Sequence, residues 1–320
     1  MRSDQSEQFT AIPSFQTKPP DFFLSGLLAD PSTTSDRSFK LSSFYELAMK
    51  NRFLVLIDFS PYSEQLLRFV HEWSKRVNAD ILLIHSTDVL MPLMAPSESR
   101  QEIVKMANRD ALKKMLELTK AVFPEGAPFT SFVSEEDLTI TLRRFLLQKH
   151  NNLVFLGLKG TGLLKRIFMG SRSVKIIEDI DNLIVAMPKH AVCCAPESIH
   201  VAVQKSCPLN MIELNNLLKL AGEEIKKINF FSVLRDYDDT SMAERYLNEI
   251  AVLYSGKTET SYELYRERDT LVNLKNAIFE KKNEFIVVQK SSPFFLDPVF
   301  KKFLINELVY EGNNPLIILP

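Results

Sequence analysis

Glycine is scarce in this chain, with nine among 320 residues. Four of them, Gly157, Gly160, Gly162 and Gly170, fall within the single stretch GLKGTGLLKRIFMGS (157–171). Cysteine is scarcer still: Cys193, Cys194 and Cys207. An odd count without framework spacing argues against a disulfide scaffold or a zinc site and for a reducing compartment. The vicinal pair Cys193–Cys194 reads as incidental. No apolar run approaches the roughly 20 residues that a membrane span needs. FFLSGLL (22–28) follows Asp21, lacks a basic n-region and is short for a signal peptide, so the expected location is cytoplasmic. Neither sign of charge dominates, with 39 basic against 40 acidic residues. The chain therefore has no electrostatic footprint for duplex nucleic acid or an anionic membrane. His71 and Glu72 have no second histidine four residues on, which excludes the zinc-protease helix.

What is present is a globular composition, 45% hydrophobic and 25% charged, in a length that suits one large domain or two ordinary ones. Residues 1–50 read as a flexible extension: 1 to about 40 are rich in Ser, Thr, Pro, Gln and Asp, SSFYELAMK (42–50) suits a short helix, and Met49 is a plausible alternative start. From residue 53 a regular rhythm begins. Short, nearly continuous apolar runs, as in strands buried on both faces, occur at 53–58, 80–86, 128–133, 152–157 and 182–188. Amphipathic segments separate them. One carries Leu66, Leu67, Val70, Trp73 and Val77, with Pro61 suited to its first turn. Another carries Ile103, Ala107, Ala111, Met115, Leu118 and Val122, and a third follows SEED (134–137), which has capping-box spacing. A fourth helix is expected over 171–180. Strict alternation of this kind implies a doubly wound parallel sheet with helices on both faces.

The rhythm then repeats. Strands are expected at 199–204, 227–234, 261–267, 284–289 and 315–320, and helices near 210–221, 243–255, 270–282 and 298–310. Both halves close alike, on DNLIVAMP and NNPLIILP. The expected architecture is α/β, two tandem five-stranded units at 51–190 and 199–320, joined by KHAVCCAPES. Their closing strands, 183–187 and 315–319, carry an edge risk that pairing with each other would remove. That would make an intramolecular pseudo-dimer; a further homodimer and an unidentified protein partner are compatible with the pattern.

In open parallel sheets ligands bind beyond the carboxyl ends of strands, where strand order reverses. Asp58 ends the first strand and Gly157 the fourth. Glycines let backbone N–H groups approach a ligand closely. Ser171 and Ser173 add hydroxyls, and a helix starting there carries about half a positive charge at its N-terminus. Lys159, Lys165, Arg166 and Arg172 add cations, although Lys165 and Arg166 suit a solvated face better. This is chemistry for phosphate, and one aspartate across the cleft could accept from ribose hydroxyls or a base amine. Two familiar motifs fail. A Walker loop needs Gly-Lys-Ser/Thr, whereas Leu163 and Leu164 follow Gly162; the dinucleotide fingerprint fails at Lys165.

The spacing that fits is Gly157-x2-Gly160-x9-Gly170-Ser171. With VLIDFSPYSEQLLRF and LLIHS, this segment resembles the universal stress protein family, whose ATP-binding pattern is Gly-x2-Gly-x9-Gly-Ser/Thr. The resemblance covers 51–190 closely and 199–320 only in pattern, like a tandem member. It implies the strand order 3-2-1-4-5 and an ATP site, with Mg²⁺ as an optional companion. Asp58 would meet the adenosine portion, and the backbone at Ile57 and Ser86 would hold adenine. Gly157, Gly160 and Gly170 would shape the phosphate loop beside Lys159. Ser171, Arg172 and Ser173 would face the phosphates. Leu56 stands where the family often has proline. Gln204 stands where Asp58 would align, and QKSSPFFLDPVFKKF replaces the glycine loop, so the second unit is expected to have lost nucleotide binding. No base, nucleophile or acidic metal cluster accompanies the site. Three readings stay open: a nucleotide-binding regulator in stress responses, a slow ATPase with the same pocket, and an interaction scaffold.

Overall fold

The computed structural model describes residues 49–87, 89, 96–158, 171–188, 191, 195–234, 238–266, 284–292 and 314–320. The helices expected at 270–282 and 298–310 lie outside these residues, as do 1–48 and 159–170. Residues 49–320 form one compact unit.

The first five strands are β1 (Asn51–Leu56), β2 (Asp80–Ser86), β3 (Thr130–Ser134), β4 (Asn151–Gly157) and β5 (Ile184–Met187). Between them run α1 (Ser63–Val77), α2 (Ser97–Val122), α3 (Leu138–Leu146) and α4 (Ser171–Asp179). The second set is β6 (Ser198–Ala202), β7 (Lys227–Leu234), β8 (Glu259–Arg266), β9 (Glu284–Gln289) and β10 (Leu316–Leu319), with α5 (Met211–Ala221) and α6 (Thr240–Tyr254). All ten strands make one sheet in the order β3-β2-β1-β4-β5-β10-β9-β6-β7-β8. Each half has the order 3-2-1-4-5. Neighbours are parallel within each half, and the halves meet where β5 and β10 pair antiparallel, Ile317 opposite Val185.

Alternate residues of each strand supply two apolar layers. Phe53, Val55, Phe155, Val185, Ile199, Phe285 and Ile317 belong to one, under α1 and its counterpart α5. Leu54, Leu56, Val154, Ile184, Ile286 and Ile318 belong to the other, under α3 and α4. Burial on both faces is why these strands read as continuous apolar runs. Two local expectations are corrected. Ser134 does not cap α3: Asp137 does, accepting the Thr139 and Ile140 N–H groups at 2.9 and 3.4 Å. The apolar face expected along α2 is buried only at Ala111 and Met115, while Ile103 is 40% exposed and the first turns stand clear. Among the described residues no helix is long and apolar enough to cross a membrane.

Candidate functional site

Strand order reverses between β1 and β4, so the crevice lies beyond their carboxyl ends. Asp58 lies two residues past Leu56, whose partner on β2 is Ile84; Ser86 lies two residues past Ile84. On the other side Val55 is level with Phe155, which brings Gly157 to the same edge. The register thus gathers Ile57, Asp58, Ser86 and Gly157 at one rim. β4 and β5 are parallel, so the chain returns from the carboxyl edge of β4 to the amino end of β5, and α4 lies on that return. Ser173 is half-buried in the first turn of α4. Lys159, Gly160 and Gly170 lie outside the described residues.

The rim is held by short bonds. Ile57 N–H donates to the Ile84 carbonyl at 2.9 Å, extending the β1 ladder past its last residue. His85 Nδ1 sits 2.7 Å from the Ile57 carbonyl, which can only accept, so that nitrogen carries the proton. Both polar groups of Ile57 are therefore engaged internally, leaving the carbonyl's second lone pair for anything else. Asp58 Oδ1 accepts from Ser60 N–H at 2.9 Å and from Ser63 Oγ–H at 3.1 Å. This local aspartate turn fixes the exit of β1 and the entry of α1. Between them Phe59 holds φ at 54°, the left-handed region, which costs a non-glycine residue about 1–3 kcal/mol. Its ring lies 4.4 Å from that of His85, and this contact helps hold the turn.

Ser86 Oγ–H donates to the Glu136 carbonyl at 2.8 Å, tying β2 to the turn before α3. Thr87 continues the rim, its hydroxyl 2.6 Å from Asn108 Oδ1, while Asn108 Nδ2 donates to Glu135 at 3.1 Å. A backbone bond of its own, then Asn108, holds the Glu135 carboxyl below its usual range. Phe59, Ser60, Ser63 and Asn108 are rim residues that the sequence does not single out. The D-x-S-x-x-S spacing was the available signal for the two serines, whereas Asn108 comes from a distant helix.

Gly157 has an ordinary backbone conformation, and among the described residues no atom lies within 4 Å of where its Cβ would stand. Neither strain nor packing against the described residues demands glycine here. Among the described residues, the missing side chain leaves space at the switch point. Among the described residues no group of three or more His, Cys, Asp or Glu could hold a metal.

Residues 49–182 match the family model of the universal stress protein family. No curated protein matches the sequence. A solved universal stress protein from Archaeoglobus fulgidus DSM 4304 shares 14% identity at a TM-score of 0.56, over 85% of this chain and 96% of that one. That coverage extends well beyond residue 182, so the likeness of fold takes in both halves. Also similar are a universal stress protein from Pseudomonas aeruginosa UCBPP-PA14, at 9% identity, TM-score 0.48, and 85% and 93% coverage. The cytoplasmic domain of a prokaryotic cation chloride cotransporter is similar at 13% identity, TM-score 0.49, and 84% and 95% coverage. Residues 49–182 therefore carry a universal stress protein domain.

Proposed function

We propose that this protein is a nucleotide-dependent regulator in stress responses, holding one ATP in the crevice of its first half. The observation that carries the reading is the position of the glycine motif. Gly157 ends β4 at the switch point, at the same sheet edge as Asp58, and no described residue fills the place of its side chain. The remaining motif residues, Gly160, Gly170 and Ser171, follow at the family's ATP-binding spacing. In this reading Asp58 and the Ile57 and Ser86 backbone meet the nucleoside. Lys159, Arg172, Ser171 and Ser173 meet the phosphates, aided by the α4 N-terminus. Mg²⁺, where it accompanies ATP, would be held by the phosphates. Occupancy then stabilises the folded state: ligand at 100 times its Kd adds about 2.7 kcal/mol. This coupling gives the cell a regulatory signal without chemistry on the nucleotide.

The test is to denature freshly purified protein and identify the released small molecules by mass spectrometry, beside a Gly160→Val, Gly170→Val double variant. ATP or ADP near one equivalent per chain, absent from the variant, is the expected result. No nucleotide from either protein, with no binding of added Mg-ATP, would leave the scaffold reading in its place.

A further inference from the structure

His85 holds the chain on both sides of Asp58. Its Nδ1–H donates to the Ile57 carbonyl at 2.7 Å, and its ring lies 4.4 Å from that of Phe59. The bond stands where the β1–β2 ladder ends. The last rung runs from Ile57 N–H to the Ile84 carbonyl. Beyond it the Ile57 carbonyl accepts from the imidazole, where a continued parallel ladder would offer Ser86 N–H. A trans peptide is planar, with its N–H opposite its C=O, and the described chain has no cis bond. Pinning the Ile57 carbonyl toward β2 therefore turns the Asp58 N–H toward β4, the strand that Gly157 ends.

Two sets of bonds thus fix Asp58. Ser60 N–H and Ser63 Oγ–H hold Oδ1 against the turn that follows, at 2.9 and 3.1 Å. The imidazole holds the peptide that precedes it, and braces Phe59, whose φ of 54° is otherwise unfavourable. The second half lacks this arrangement. Val203 N–H donates to the Phe231 carbonyl at 2.8 Å, as Ile57 N–H does to Ile84. That rung puts Gln204 in the place of Asp58 and Ser232 in the place of His85. A serine has no ring nitrogen for the carbonyl and no ring for the next residue. The two-sided hold is therefore confined to the half that carries the glycine motif.

We propose that His85 is a positioning residue for the nucleoside end of the first crevice. The inference rests on the nucleotide reading above. His85 acts through Asp58: it fixes the 57–58 peptide and Phe59, so that the exposed carboxylate is presented to the nucleoside at one angle. The ordering is complete before the ligand arrives, which lowers the cost of binding. Without the imidazole the carboxylate keeps its bonds to Ser60 and Ser63, but the turn that carries it is free to tilt.

The experiment is isothermal titration of the full chain, stripped of bound nucleotide, with ATP. His85→Phe keeps a ring against Phe59 and removes the donor; His85→Asn keeps a donor at the same reach, because its Nδ2 is as many bonds from the backbone as Nδ1. His85→Phe should weaken ATP about tenfold, the effect of one such bond. His85→Asn should restore most of that loss, with circular dichroism confirming the fold of each variant. In an Asp58→Ala chain, His85→Phe should add almost nothing, since the residue it positions is gone. Nitrogen-15 spectra of histidine-labelled parent protein give a reading that needs no variant: His85 Nδ1 should carry a proton. The role of His85 is overturned if His85→Phe binds ATP as the parent does, or if His85→Asn is as weak as His85→Phe. It is also overturned if the His85→Phe loss persists in full without Asp58, or if Nδ1 carries no proton. Each of those results leaves the nucleotide reading standing, whereas a parent that binds no ATP overturns both.

Discussion

His71 lies on the inner side of α1, its ring stacked 4.8 Å from that of Phe123 and its Nε2 buried without a partner among the described residues. Burial, and then the nearby Lys75, push its pKa below the ordinary value, with Glu72 opposing. The sign follows directly. As pH falls below about 6.5, the unfolded chain takes up the proton before the folded one, so His71's contribution is present above that value and lost below it. His71→Phe keeps the aromatic contact and removes the proton. Urea midpoints measured from pH 7.5 to 5 should fall less steeply in the variant than in the parent; equal slopes would refute the assignment. At this scale the sequence was a partial guide to the candidate site. Asp58 and Ser86 were legible because motif and strand end coincide. Their internal bonds to Ser60, Ser63 and Glu136 were not, since those depend on side-chain directions that spacing does not specify.

Helix ends show the same limit one scale up. Ser134 and Asp137 both sit at sensible capping positions in SEED, but the chain enters α3 at Asp137, and Ser134 Oγ instead accepts from Glu136 N–H at 3.1 Å. Asp137 does two things, capping α3 and pairing with Lys175 of α4 at 3.1 Å. The Lys175 bond, chiefly, holds its carboxyl below the usual range. That contribution is present above the ordinary carboxylate value and lost as pH falls through the lowered one. Two substitutions separate the roles. Asp137→Ala removes both and should cost about 1 kcal/mol in chemical denaturation. Asp137→Asn keeps a good cap and loses only an exposed ion pair, so it should cost a few tenths at most. An equal loss in both would mean that the pair, and not the cap, stabilises the element. Strands were easier to read than helix ends. Burial on both faces leaves β1, β4 and β9 with continuous apolar runs, whereas the outer strand β8 mixes in Glu259, Glu263 and Arg266.

On the scale of the molecule, the sequence showed two similar units and two closing strands with unpaired edges. It did not show how far their cores merge, because those contacts are distant in the chain. Trp73, the single tryptophan, is fully buried in α1 and packs with Phe53 and Phe155 of the first half at 5.5 and 5.6 Å. The same indole lies 6.0 Å from the ring of Phe285 on β9, and Phe69 lies 5.9 Å from it. Together with the β5–β10 ladder, these contacts make the halves share one apolar layer. A chain of this length need not unfold in one step, so the sharing has a measurable consequence. Phe285→Ala removes a fully buried ring from the second half and should cost about 3–5 kcal/mol. Trp73 fluorescence reports on the first half and far-ultraviolet circular dichroism on both. In a coupled molecule the two probes trace coincident denaturation curves, and the variant moves both midpoints together. If the halves unfold independently, Phe285→Ala leaves most of the Trp73 transition in place while part of the dichroism signal is lost earlier. That result would reduce the shared layer to a contact between two autonomous domains.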